Sequence, residues 1–241
     1  MDMRLLTAIP VYNEAAHLEP VLSEILRHAP GDVLVVDDGS TDGTPDRLGK
    51  FPQVRVIRHD RNRGYGAGLS SAFAHTLEHG YDGLVTLDCD GQHEPALIPR
   101  LGARLAEADI VSGSRYLKVF DPSQVPPEAR RRINVEVTRW LNEGLGLGLT
   151  DAFCGFKAYR ASALRVFDIT EDGYAMPLQA WVQAAEHGLK VIEEPVPLVY
   201  LDEKRAFGGA LDDADYRLNH YRSVFQAALR RSGLEVAGGC R

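Results

Sequence analysis

The sequence predicts an α/β fold, a single open and mostly parallel sheet sandwiched by helices, and three observations carry that expectation. Short apolar runs alternate with stretches of helical periodicity through roughly the first half of the chain. Residues 33–36 form a continuous run of Val and Leu, as a parallel strand covered on both faces requires. Each apolar run also ends in acidic or turn-forming residues, and right-handed crossovers bring such strand ends to one edge of a sheet.

In order, residues 4–9 read as a strand, and Pro10-Val-Tyr-Asn-Glu14 as the turn into a helix with Leu18, Val21, Leu22, Ile25 and Leu26 on its apolar stripe. The 33–36 strand leaves through Asp37-Asp38-Gly-Ser-Thr-Asp-Gly-Thr44. A third strand is expected over 54–57, and Asn62-Arg-Gly-Tyr-Gly-Ala-Gly68 then opens a helix bearing Leu69, Phe73 and Leu77 on one side. Strands over 84–87 and 109–113 continue the alternation. Pro122, Pro126 and Pro127 exclude a helix from 118–127, after which 128–142 reads as a helix opened by Arg130-Arg-Arg132. Alternating Phe156 and Ala158 suggest a strand returning to the sheet. A helix over 173–187, strands over 189–194 and 196–201, and a terminal helix over 212–231 complete the reading. Tyr216, Tyr221, Val224, Phe225 and Leu229 on that last helix suit core or dimer packing. One domain over 1–241 is expected, in two halves (1–115 and 116–211) and a terminal helix (212–232).

The chain has 241 residues, 44% hydrophobic and 25% charged, enough for one large core. A net charge of −7 speaks against general nucleic-acid binding. Cys89, Cys154 and Cys240 are odd in number and scattered, which suits a reducing cytosol and argues against disulfides or a zinc site. There is no run of 18 apolar residues and no signal-like N-terminus. The expected protein is therefore cytoplasmic, soluble or peripherally attached to a membrane.

The densest chemistry lies in LVTLDCDGQHEP (84–95), where an apolar strand gives way to oxygen ligands. If the strand stays extended, Asp88, Asp90 and Gln92 sit at alternate positions and turn the same way. Two such close carboxylates need a compensating cation, and oxygen donors favour Mg²⁺ or Mn²⁺ over zinc. A lone D-x-D could equally cap a turn or the helix after Pro95. Gly64, Gly66 and Gly68 do not form a dinucleotide fingerprint, because G-x-G-x-x-G would need glycine where Leu69 stands.

Six stretches in order, AIPVYNE (8–14), VVDDGSTDGT (35–44), NRGYGAGL (62–69), LDCDGQHEP (87–95), GSRY (113–116) and DAFCGFKAY (151–159), resemble family 2 glycosyltransferases. Within that family they look most like the dolichol-phosphate and polyprenyl-phosphate mannosyl- and glucosyltransferases. The resemblance implies a Rossmann-like GT-A fold, a nucleotide-sugar-binding first half and an acceptor-binding second half. It further implies a GDP- or UDP-hexose donor, a divalent metal, inversion at the anomeric carbon and a lipid-phosphate acceptor met at the membrane surface.

Carried over by position, Pro10, Tyr12, Glu14 and Asp38 would cradle base and ribose, and Asp88, Asp90 and Gln92 would hold the metal on the diphosphate. Asp37 reads equally as a turn-forming residue or a nucleotide contact. Gly66, with its neighbours, reads as a helix-entry glycine near the nucleotide ahead of a phosphate loop. Arg115, and Arg130 with Asn134 one helical turn later, match acceptor-phosphate positions, although serine is usual where Asn134 stands. The triple arginine also fits a plain solvated helix face. Asp151 would be the base for a hydroxyl acceptor; a phosphate acceptor, already ionised, needs none, and a structural bond to the arginines is the other reading. A phosphate acceptor therefore predicts a severe Arg115→Ala and a mild Asp151→Asn. Two departures stand out. Gln179 replaces a common glutamate, and the chain keeps Arg205, a candidate donor contact, but lacks the Ser-Lys that often follows Gly208.

Three other readings fit part of the pattern. A hydroxyl acceptor on a saccharide or small molecule keeps the donor site and changes only the second half. A non-catalytic nucleotide-sugar-binding protein conflicts with the intact Asp88, Asp90 and Gln92. A sugar nucleotidyltransferase would open with a glycine-rich basic loop, which this chain lacks.

Overall fold

The computed structural model describes residues 3–199 and 207–234. Leu5–Val11 (β1), Leu18–His28 (α1), Asp32–Asp37 (β2), Thr44–Leu48 (α2), Arg55–Arg58 (β3), Tyr65–Glu78 (α3), Gly83–Thr86 (β4), Ile98–Ala103 (α4) and Ile110–Ser114 (β5) give the expected alternation. Glu128–Leu145 (α5), Lys157–Arg160 (β6), Ala161–Leu164 (α6), Met176–Glu186 (α7), Val191–Pro195 (β7) and Ala214–Ser232 (α8) follow.

The strands form one sheet in the order β3-β2-β1-β4-β6-β5-β7. β1 pairs in parallel with β2 and β4, β2 with β3, and β5 with β7. Only β6 is antiparallel, to β4 and β5 on either side. Because β6 reverses direction between them, β4 and β5 run the same way, and the C-terminal ends of β1, β2, β4 and β5 share one edge.

Alternation along each strand splits the core in two. Leu6, Ala8, Leu34, Val36, Leu84 and Ile110 face Phe73, Trp140, Trp181 and Phe225, the side covered by α3, α5, α7 and α8. Leu5, Ile9, Val33, Val35, Val85 and Val111 face Leu18, Leu22, Ile25, Ile98 and Leu101 of α1 and α4. Burial on both faces explains the unbroken apolar run of β2.

Three expected elements shift. Residues 196–199 form no strand: Pro195 ends β7, and Pro197 has no N–H to give a ladder. The rest of that expected strand, 200–201, lies outside the described residues. β7 begins at Val191 rather than 189, after Gly188 turns at φ 61°. α7 begins at Met176 with Pro177 in its first turn. On α8, Tyr221 and Phe225 are core, whereas Tyr216 is 54% exposed.

Candidate active site

The exits of β1 and β2 are stitched together. Asn13 adopts a left-handed conformation (φ 54°), and its Oδ1 accepts the Thr41 and Asp42 N–H groups at 2.8 and 3.3 Å. In return the Asn13 and Glu14 N–H groups donate to Ser40 Oγ and Thr44 Oγ1, both at 2.9 Å. Pro10, Tyr12, Glu14 and Asp38 thereby line one wall of a cavity of about 420 Å³ at the sheet edge.

The two aspartates at the exit of β2 do different work. Asp37 is fully buried, and its Oδ1 accepts Ser40 N–H at 2.9 Å as a turn former; Arg58 Nε lies 3.3 Å from the other oxygen. Asp38 accepts the N–H groups of Arg63 at 2.9 Å and Gly64 at 2.7 Å and meets His59 Nδ1 at 2.6 Å. It faces the cavity while anchoring the 62–64 loop.

The glycines there serve close approach. At Gly64 (φ 113°) a Cβ would lie 2.3 Å from the Asp172 carbonyl oxygen, and at Gly66 2.2 Å from that of Glu171. Both let the first turn of α3 sit on the 171–173 backbone. Gly64 borders the cavity; Gly66 packs beneath it.

Past β4 the chain bends through residues 89–91, with Gly91 at φ 73°, so the extended geometry expected for 88–92 does not form. Gln92 N–H instead donates to Asp90 Oδ1 at 3.0 Å. Asp88, Asp90 and Gln92 nevertheless all line the cavity. Asp88 accepts Tyr65 O–H at 3.0 Å and lies 3.2 Å from His93 Nε2. Burial works to raise its pKa, but these two contacts outweigh it and hold the carboxyl below its ordinary value. Gly155 makes room, since a Cβ there would stand 2.2 Å from Asp88 Oδ2.

Among the described residues no three His, Cys, Asp or Glu side chains converge as a self-contained metal site. Two carboxylates and an amide match instead a hard ion that keeps water and phosphate oxygens in its remaining positions. By donor chemistry the residues fit Mg²⁺ or Mn²⁺.

Lys157 of β6 also lines the cavity, only 5% exposed. Its Nζ donates to the Cys154 carbonyl and lies 5.4 Å from the Trp181 ring; burial lowers its pKa. Its sequence signal was a lysine between the apolar Phe156 and Ala158.

Arg115, also of the cavity lining, forks onto Asp151, with Nε to Oδ2 at 2.7 Å and Nη2 to Oδ1 at 2.9 Å. Asn134 Nδ2 donates to Asp151 Oδ1 at 2.7 Å, and its own Oδ1 accepts Thr138 O–H at 3.2 Å. Asp151 has no exposed surface. Burial raises its pKa, yet the Arg115 charge and these hydrogen bonds prevail and hold the carboxyl far below the usual range. The carboxylate is thus committed to Arg115 and Asn134 and holds the guanidinium in place.

The triple arginine divides. Arg130 lines the cavity with Arg115 and Asn134, Arg131 stacks 3.8 Å over Tyr116, and Arg132 meets the exposed Asp215 at 3.2 Å. Gln179 braces the 170–171 backbone through Oε1, at 2.8 and 3.0 Å, and does not line this cavity. Arg205 lies outside the described residues.

A family model described as glycosyl transferase family 2 matches residues 7–167, more than half of the chain. The chain belongs to that family. This family 2 glycosyltransferase is 38% identical over 223 residues to an undecaprenyl-phosphate mannosyltransferase of Micrococcus luteus, covering 88% of this chain and 91% of that protein. It is 33% identical over 214 residues to a polyprenol monophosphomannose synthase of Mycolicibacterium smegmatis, covering 80% and 76%. Its fold is GT-A. Glucosyl-3-phosphoglycerate synthase of Mycobacterium tuberculosis, solved with Mn²⁺, UDP and glucosyl-3-phosphoglycerate, superimposes with a TM-score of 0.72 at 21% identity, over 98% of this chain and 82% of that one. At that identity the shared property is the fold.

Proposed function

We propose that this glycosyltransferase moves a hexose, mannose in preference to glucose, from a nucleoside-diphosphate donor to a polyprenyl phosphate. GDP-mannose is the preferred donor, the anomeric carbon inverts, and Mg²⁺ or Mn²⁺ is required. The single observation that carries the reading is that one cavity is lined by both the carboxylates of Asp88 and Asp90 and the guanidinium groups of Arg115 and Arg130. The two lipid-phosphate relatives support it further.

In this reading the first half (1–115) holds the donor and the second (116–211) the acceptor. Pro10, Tyr12, Glu14 and Asp38 wall the nucleoside, and Asp88, Asp90 and Gln92 would hold the cation. A bound cation would neutralise charge on the leaving diphosphate. Arg115, clamped by Asp151, and Arg130 orient the acceptor phosphate, whose oxygen bonds to the anomeric carbon as the bond to diphosphate breaks. The diphosphate leaves with the electron pair, and no proton need be removed because the acceptor is already ionised.

The lipid would reach the cavity over residues 117–125, where Val119 is 72% and Val125 69% exposed beside half-exposed Leu117 and Phe120. No helix among the described residues is long and apolar enough to cross a membrane. Attachment through this apolar patch and the neighbouring arginines would be peripheral, on the cytoplasmic leaflet, and salt-dependent.

A donor panel with and without metal, scored for nucleoside diphosphate release with polyprenyl phosphate and with sugar hydroxyl acceptors, tests the proposal. Metal-dependent release stimulated by the lipid phosphate is expected. Stimulation by hydroxyl acceptors alone would overturn it.

A further inference from the structure

Arg217 is a cation of the cavity wall that none of the sequence motifs contains. It lies on α8, lines the same cavity as Arg115 and Arg130, and is only 4% exposed. Its guanidinium carbon stands 4.4 Å from the centroid of the Phe207 ring, and that of Arg130 stands 5.1 Å from the same centroid. One ring therefore contacts two guanidinium groups.

Arg217 differs from Arg115 in how its charge is met. Arg115 spends Nε and Nη2 on the Asp151 carboxylate. Arg217 donates through Nη1 to the Leu211 carbonyl at 2.5 Å, and no carboxylate among the described residues forms an ion pair with it. The acids nearest in sequence are used elsewhere: Asp212 accepts the Phe207 and Gly208 N–H groups at 2.7 and 3.0 Å, and Asp213 caps α8 on Tyr216 N–H at 2.7 Å. Burial, with Arg130 close by, pulls the Arg217 pKa down. A buried cation met, among the described residues, by one carbonyl and one aromatic ring is costly unless an anion completes it.

The clamp is also fixed relative to Asp88. Phe207 meets Tyr174 edge-on at 5.3 Å, Tyr174 stacks on Tyr65 at 5.6 Å, and the Tyr65 hydroxyl reaches Asp88 at 3.0 Å. A continuous run of contacts along the cavity lining thus links Phe207 to Asp88.

We propose that Arg217, with Arg130 across Phe207, binds the phosphate of the acceptor, so that α8 is a third element of the acceptor subsite. The inference rests on the polyprenyl phosphate reading above. Guanidinium forks on both sides of a monophosphate dianion would each engage a pair of its oxygens, and the shared ring keeps them in place through cation–π contact.

The test uses the full chain, with farnesyl phosphate and farnesol titrated in the presence of GDP and Mg²⁺, and steady-state transfer to polyprenyl phosphate. Arg217→Gln, which keeps a donor for the Leu211 carbonyl, should weaken farnesyl phosphate binding by about tenfold or more, as loss of a charge-assisted bond predicts. The loss should fall on the KM for lipid phosphate rather than for donor. Arg217→Lys, which retains charge and stem and guards against misfolding in the Gln variant, should recover part of the affinity. Unchanged farnesyl phosphate affinity in a variant with a normal melt would overturn the role of Arg217 and leave the acceptor reading standing. A raised donor KM alone would assign the arginine to the donor and also overturn it. If the wild type binds farnesol as well as farnesyl phosphate and transfers to hydroxyls, the acceptor reading fails and this inference fails with it.

Discussion

Asp151→Asn preserves the shape of the side chain and removes its charge, and the surroundings allow the consequence to be worked out. The native carboxylate accepts Arg115 Nε and Nη2, Asn134 Nδ2 and the backbone N–H groups of Arg115 and Phe153, at 2.7 to 3.2 Å. An asparagine turns one of its two oxygens into a donor that faces other donors, and it leaves the buried guanidinium without a counter-charge. Breaking a buried pair in this way costs about 3–5 kcal/mol. For a chain of this size the melting temperature falls by roughly 2–4 °C per kcal/mol, so a drop of about 10 °C is expected. Transfer should fall together with that of Arg115→Ala, by about 10²-fold, because both variants misplace the same charge. The severe-versus-mild ranking that sequence alone suggested therefore no longer separates a base from a positioning group. A pH series does. The folded pKa of Asp151 lies below its unfolded value, so its contribution to stability is present above about pH 4 and is lost as pH falls further. The stability gap between wild type and Asp151→Asn should thus narrow below pH 4. A melting temperature within about 2 °C of wild type, or an inactive Asp151→Asn beside a near-normal Arg115→Ala, would refute the clamp.

Asp90→Ala should abolish transfer with little change in melting, since the residue sits on an irregular, half-exposed bend; activity within about threefold of wild type in excess Mg²⁺ or Mn²⁺ would contradict its role as a metal ligand. A chelator should likewise stop transfer, with recovery on adding back either ion. Gly66→Ala brings a Cβ to 2.2 Å from the Glu171 carbonyl and 2.8 Å from Met176 Cβ, and should cost about 1–3 kcal/mol in a thermal or denaturant melt. The double change Val119→Glu and Val125→Glu should abolish cosedimentation with anionic vesicles while a short, water-soluble prenyl phosphate is still glycosylated; unchanged cosedimentation would remove residues 117–125 from the membrane contact.

The parallel half of the fold was legible because its strands are buried on both faces and announce themselves as uninterrupted apolar runs. The direction of β6 was not legible. Alternation of Phe156 and Ala158 marks a strand, but nothing local tells whether Lys157 will pair with Thr86 and Ser112 in parallel or, as found, antiparallel. The strand expected over 196–201 failed at 196–199 for a reason visible in advance, since Pro195 and Pro197 both lack the donor that a ladder needs. The Asp88 turn failed for the opposite reason. A period-two argument needs a strand, and β4 stops at Thr86 with a bend through 89–91.

Cavity-lining residues were legible where an ionisable residue stands at a strand exit, as at Asp88, Asp90 and Arg115. They were not legible where the role exists only after distant elements meet. Tyr65 matters because α3 carries its hydroxyl to Asp88, 23 residues on, and Asp151 because its loop returns to Arg115 across 36. Asp38 and Asp37, adjacent in sequence, separate into a cavity-facing loop anchor and a buried turn former because consecutive residues at a strand exit face opposite sides. Arg217 is the extreme case. An arginine in a C-terminal helix reads as a solvated charge, and only the folded chain, which brings α8 against Phe207 and the cavity, turns it into a buried cation. Charge in this site is thus distributed by tertiary contact: Asp151 largely neutralises Arg115 and fixes its direction, while Arg217 keeps a charge that no carboxylate of the described chain answers. Two phosphates brought together in one cavity repel strongly, and a cation that no carboxylate of the described residues pairs is what an incoming acceptor phosphate would meet in the proposed reaction.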